Sequence, residues 1–118
     1  MKRSIACAVV AGVLLGSTGV AAQQPIRLGE LNSYKVFPSF LDPYRKGMEL
    51  ARDEINAAGG VLGRPIEIVS RDDTGAPGDA VRVAEELVSR EKVALLMGTF
   101  ASNVGVAVAD LARQRKIL

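Results

Sequence analysis

Residues 71–81, Arg-Asp-Asp-Thr-Gly-Ala-Pro-Gly-Asp-Ala-Val, hold the densest group of side chains able to do chemistry in this chain of 118 residues. Asp72 and Asp73 are adjacent, and Asp73-Thr74-Gly75-Ala76 has the order found where two carboxylates share one proton and activate water. That chemistry needs two carboxylates brought face to face. Neighbours on an extended chain diverge, and no second Asp-Thr-Gly is present. Short polar side chains between a strand and a helix also hydrogen-bond the local backbone. Asp72 and Asp73 are therefore expected to organise a turn, and no catalytic residue is expected.

Other chemistries fall away on residue types. The chain has no His, which removes Ser-His-Asp triads, His-based zinc sites and His general bases. The single Cys is Cys7, so residues 23–118 offer neither a disulfide nor a thiol nucleophile. Neither Gly-x-Gly-x-x-Gly after the first strand nor Gly-x-x-x-x-Gly-Lys-Ser/Thr occurs, and no cofactor or metal is expected.

Two further groups remain. Thr99-Phe100-Ala101-Ser102-Asn103 follows an apolar run and precedes a helical pattern. Free N–H groups and the positive end of a helix dipole would meet there, which suits a carboxylate or similar anion, and Ser102 would add a hydroxyl. The competing reading has Ser102 or Asn103 capping the helix, and residue types alone favour the cap. Tyr34, Phe37, Phe40 and Tyr44 gather in the first loop of a chain with two Tyr, three Phe and no Trp. They either pack that loop or wall a ligand pocket.

The elements that position these groups begin after a leader. Lys2 and Arg3 precede an apolar run over 5–20, and Val20-Ala21-Ala22 has the small-x-small form of a cleavage site. Residues 1–22 are expected to be a secretory signal peptide, since the run is short for a membrane span. Cys7 sits near the start of the run, where lipid attachment is not expected. Without Lys2 and Arg3, basic and acidic residues balance, so the net charge of +2 belongs to the leader. No nucleic-acid partner is expected.

Beyond the leader, 26–31 read as a strand. A helix follows, capped by Asp42 with Pro43 at its first position, burying Tyr44, Met48, Ala51, Ile55 and Ala58, and closed by Gly59-Gly60. Residues 66–70 read as a second strand. Asp79 should cap a second helix over 80–90, with Glu86 and Arg90 paired on its outside. Residues 93–98 read as a strand buried on both faces, 104–115 as a third helix, and Ile117-Leu118 as the start of a fourth strand. Strand-helix alternation with short connections predicts an α/β fold: a three-layer parallel sheet with helices on both faces. Ligands bind beyond the carboxyl ends of such strands, which singles out loops 32–42, 71–79 and 99–103. A receiver domain is excluded, because the first strand leads into Asn32-Ser33 and the third ends in Gly98-Thr99.

Residues 45–81, RKGMELARDEINAAGGVLGRPIEIVSRDDTGAPGDAV, resemble the periplasmic solute-binding proteins of branched-chain amino-acid-type ABC transporters. The resemblance runs over 26–118 and is most specific from Gly47 to Gly60 and from Gly63 to Glu67. It implies that 23–118 are a truncated N-terminal lobe, part of the first lobe of a type I periplasmic binding fold. It implies a small carboxylate ligand such as an amino acid, hinge closure without covalent chemistry, and delivery to an inner-membrane ABC permease. On this resemblance Ser102 helps hold the ligand carboxylate, with Phe100, Ala101 and Asn103 beside it, and the first loop contributes Tyr34 or Phe40. The chain departs from the family where Lys35-Val36-Phe37 replaces the usual Thr/Ser-Gly-Pro, and the added aromatics admit an aromatic or other non-aliphatic carboxylate. A ligand-sensing ectodomain of a receptor or regulator with the same fold is the alternative, and an aspartic protease built on Asp73 is the third class weighed.

Overall fold

The structure, a computed structural model, describes residues 23–118. The expected signal peptide and Cys7 lie outside them. Three strands, β1 (Ile26–Asn32), β2 (Ile66–Asp72) and β3 (Leu95–Gly98), alternate with three helices, α1 (Pro38–Ala57), α2 (Pro77–Ser89) and α3 (Ser102–Arg115). The sheet is parallel, in the order β2-β1-β3. Asn32 pairs with Asp72 and Leu31 with Gly98, so the carboxyl ends of all three strands lie along one edge.

The two faces of the sheet differ. Leu31 and Val69 point into a core with Ala80, Val83, Ala84 and Leu87 of α2 and Val104, Val108 and Leu111 of α3. Helical spacing singles out Ala80, Val83, Ala84, Leu87 and Val88 on α2 and Val104, Ala107, Val108, Leu111 and Ala112 on α3, and of these Val88, Ala107 and Ala112 are half-buried and the rest buried. On the opposite face α1 buries only Leu41. Of its expected stripe, Tyr44, Met48, Ala51 and Ile55 line an open apolar cavity of about 530 Å³ with Leu28 and Ile68, while Ala58 lies just past the helix end and is exposed. Tyr44 and Ile55 keep 38% and 39% of their surface exposed. The stripe was expected to be buried and is not, because α1 stands alone over its face among the described residues, whereas α2 and α3 pack on each other.

Helix starts also differ from expectation. Helix α1 begins at Pro38 after Phe37, with no side-chain cap, and Pro43 lies inside it. Asp42 is not the cap, since burial of Leu41 at 3% exposure draws the preceding turn into the helix. Its end follows expectation: the Gly60 N–H donates to the Ile55 carbonyl at φ +76°, and a Cβ there would lie 2.0 Å from the Arg64 oxygen. Helix α2 begins at Pro77 after Ala76, which leaves Asp79 in the first turn, where its Oδ2 accepts from Thr74 Oγ1 at 2.9 Å. Glu86 pairs with Arg82, one turn before it, at 3.1 Å, and not with the expected Arg90, which ends the helix.

Strand β3 is shorter than the expected 93–98, and Leu95, Leu96 and Met97 are only partly buried. It forms an edge of the sheet, so its outer side is covered only where the Leu118 carbonyl accepts from the Leu96 N–H at 2.7 Å.

Candidate functional site

The first and second loops are tied by two carboxylates. Ser33 Oγ and the Gly75 N–H both donate to Asp73 Oδ1, at 2.5 and 2.9 Å. Asp72 accepts from the Lys35 N–H at 2.9 Å and from the Thr74 N–H at 2.8 Å. The two carboxylates thus hold different donors and form no shared pair. Asp73 is fully buried, and its Oδ2 has no hydrogen-bond partner among the described residues. Among the described residues, no three His, Cys, Asp or Glu side chains gather as metal ligands do.

A second buried carboxylate lies under the first loop. Glu30 is fully buried in the central strand. Asn32 Nδ2 and the Tyr34 hydroxyl donate to its Oε1 at 2.6 and 2.9 Å, and Ser70 Oγ donates to Oε2. Three donors offset the cost of burying the charge. The Arg45 guanidinium covers the Tyr34 ring at 3.8 Å from its centroid, a cation–π contact. Burial first, and then the hydrogen bond to Glu30, holds the Tyr34 phenol above its usual pKa. Burial, with the Glu30 charge second, raises Tyr44 as well. Sequence reasoning missed Glu30, since residues 26–31 alternate apolar and polar positions and a polar position on such a strand is ordinarily solvated. The one signal for it was a charge on a strand with neighbours on both sides.

The third loop depends on glycine. Gly98 has φ +114°, and a Cβ there would lie 2.0 Å from the Leu31 carbonyl oxygen. Gly105 lets α3 approach Thr99, whose Oγ1 lies 2.8 Å from where a Cβ would stand. Ala101 precedes α3, and no side chain caps it. The reading in which Ser102 or Asn103 is the cap is overturned: both are exposed residues of the first turn. The N–H groups of that turn have no partner within the helix, which leaves them for an anion.

Aromatic rings join the first and third loops. Phe100 lies 4.9 Å from Phe37, tilted by 44°, and 5.5 Å from Phe40, stacked at 28°. Phe100 also borders a cavity of about 200 Å³ at the ends of β1 and β3, lined with Asn32, Leu41, Tyr44, Gly98 and Thr99. Of the residues singled out from sequence, Phe100 borders this cavity and Phe40 stacks on Phe100, Ser102 and Asn103 are exposed on the first turn of α3, and Ala101 packs against the core. Tyr34 is 7% exposed, with its hydroxyl committed to Glu30.

A parallel sheet whose carboxyl-end loops border a cavity lined by Asn32, Leu41, Tyr44, Thr99 and Phe100 has the arrangement in which open α/β sheets bind ligands. A periplasmic binding protein family model matches residues 36–118, and the chain belongs to that family. It is 35% identical over 112 residues to Leu/Ile/Val-binding protein homolog 7 of Brucella suis, covering 94% of this chain and 27% of that one. Among solved structures it is similar to the branched-chain amino acid transporter substrate binding protein LivJ of Streptococcus pneumoniae in complex with isoleucine. That likeness has a TM-score of 0.73 and 31% identity, over 79% of this chain and 27% of the other. It is also similar to an ABC transporter solute binding protein of R. palustris in complex with benzoate, with a TM-score of 0.67 and 32% identity over 79% and 26%. The chain therefore spans about a quarter of the length of these relatives. The fold is a partial type I periplasmic binding fold.

Proposed function

We propose that the chain is part of the substrate-binding component of an ABC importer for amino acids or related small carboxylates. Residues 1–22 would direct its export to the periplasm, where it would serve an inner-membrane permease. The observation that carries this reading is the uncapped amino end of α3, with Ser102 exposed on its first turn. The N–H groups there and the Ser102 hydroxyl receive the ligand carboxylate, with the backbone of Phe100, Ala101 and Asn103 alongside. Phe40 and Phe100 wall the apolar end of the site, and Tyr34 supports the first loop from behind. Isoleucine and benzoate, the ligands of two similar proteins, both carry a carboxylate. The protein acts by binding and closure without covalent chemistry, a reading supported by the full burial of Asp73.

Calorimetric titration of the purified full chain with a panel of amino acids and simple carboxylates tests the proposal. Saturable binding that weakens in Ser102→Ala is expected. Heats no greater than dilution across the whole panel would remove it.

A further inference from the structure

We propose that the preferred ligand is a small aromatic carboxylate, whose ring lies against Phe100 in the cavity that Phe100 borders with Leu41 and Tyr44. This rests on the reading of α3 as the carboxylate-holding end and goes further by naming the ligand's body. All three phenylalanines of the chain meet at this one point, Phe37 from the first loop, Phe40 from the first turn of α1 and Phe100 from the third loop. A cluster that only packed the loops would be sealed. Phe40 and Phe100 instead keep 65% and 45% of their surface exposed. Their separations, 5.5 and 4.9 Å, lie in the range where aromatic rings interact beyond simple area burial, and a third partner on an open face extends the same interaction.

Size and placement agree with a ring. The cavity bordered by Phe100 is about 200 Å³, larger than the roughly 150 Å³ that accepts benzene, and its lining mixes Leu41, Tyr44 and Phe100 with the polar Asn32 and Thr99. Phe100 stands two residues before Ser102, so the ring surface and the anion-binding turn are adjacent. A ligand that fills both places its carboxylate directly on the ring or one carbon away. An aliphatic side chain of similar volume fills the space without the stacking gain, which is worth roughly a tenfold preference.

The test titrates the full chain with benzoate, phenylacetate, leucine and isoleucine by calorimetry, for the parent and for Phe100→Leu. Benzoate or phenylacetate should bind about tenfold more tightly than leucine. Phe100→Leu should erase most of that preference, lowering the aromatic-acid affinities by more than the aliphatic ones. Phe40→Leu, at the more exposed ring, repeats the test where Phe100→Leu does not fold as judged by circular dichroism. Leucine or isoleucine binding as tightly as the aromatic acids overturns this inference and leaves the carboxylate reading standing. An equal loss for all four acids in both variants overturns it too. Absence of binding by any of the four acids overturns both readings together.

Discussion

Ser33 Oγ and Asp73 Oδ1 lie 2.5 Å apart, and both side chains are fully buried. The bond joins the first loop to the second across the carboxyl ends of β1 and β2. It turns a sequence that spells a hydrolytic carboxylate into a strut that sets the shape of the binding edge. Asp73 also receives the Gly75 N–H, so its removal orphans two donors. Asp73→Ala should lower stability by about 2–3 kcal/mol. A urea unfolding midpoint that falls at unchanged slope would record it. Asp73→Asn keeps an acceptor at Oδ1 and should leave ligand affinity near that of the parent chain. A large loss of affinity there would place Asp73 in the site itself.

Gly98 closes β3 on the central strand with no room for a side chain. Gly98→Ala would place a Cβ 2.0 Å from the Leu31 oxygen, at φ +114°. The loop must move, at a cost of about 2–4 kcal/mol from backbone strain and overpacking together. Because Phe100 and Ser102 follow directly, ligand affinity should fall with the melting temperature. Stability lost without any change in affinity would separate Gly98 from the site.

Ser102 holds no cap, so its hydroxyl is free for a ligand. Ser102→Ala should leave the melting temperature nearly unchanged, since exposed substitutions of this kind alter stability by about 0.5 kcal/mol or less. Carboxylate affinity should fall about tenfold, the size of a lost hydrogen bond to a charged group. Thermal melting and calorimetry on one preparation measure both. A lower melting temperature with intact affinity would return Ser102 to a structural role.

Both tyrosines titrate above the usual phenol range, and with no Trp in the chain the phenolate absorbance is clean. Burial and Glu30 favour the protonated form, so the native state keeps its protons where the unfolded chain has begun to lose them. Their contribution to stability is full below about pH 10, the unfolded value, and is lost as pH rises through the folded values. Spectrophotometric titration should give both midpoints above that of the urea-unfolded chain. Glu30→Gln removes the negative charge and should move Tyr34 and Tyr44 back toward the ordinary value. Native midpoints equal to the unfolded one would contradict the buried Glu30 arrangement.

Much of the sheet's carboxyl edge was legible in the sequence. Gly59-Gly60 announced the end of α1, because only a left-handed backbone closes a helix in that way. The apolar periods of α2 and α3 announced their buried faces, because a stripe spaced at the helical repeat has one side to turn inward. Asp72 and Asp73 announced a turn. The start of α1 was misplaced at Asp42, since a local capping signal loses to burial of Leu41. The caps assigned to Asp79 and to Ser102 or Asn103 failed for a similar reason: Ala76 and Ala101 precede the two helices, and the polar residues fall in the first turn.

The sequence by itself determined the order of strands and helices, the parallel sheet they build and the three loops at its carboxyl edge. Those follow from periodicity and from the backbone freedom of glycine and proline, which act over a few residues. Only the tertiary structure decided that Glu30 is a buried anchor for Tyr34 and Asn32, that Asp73 is a strut for Ser33, and that Phe37, Phe40 and Phe100 share one surface. Each of those is a meeting of groups or loops whose positions depend on the whole sheet. Residue type can propose such partners, but packing selects them.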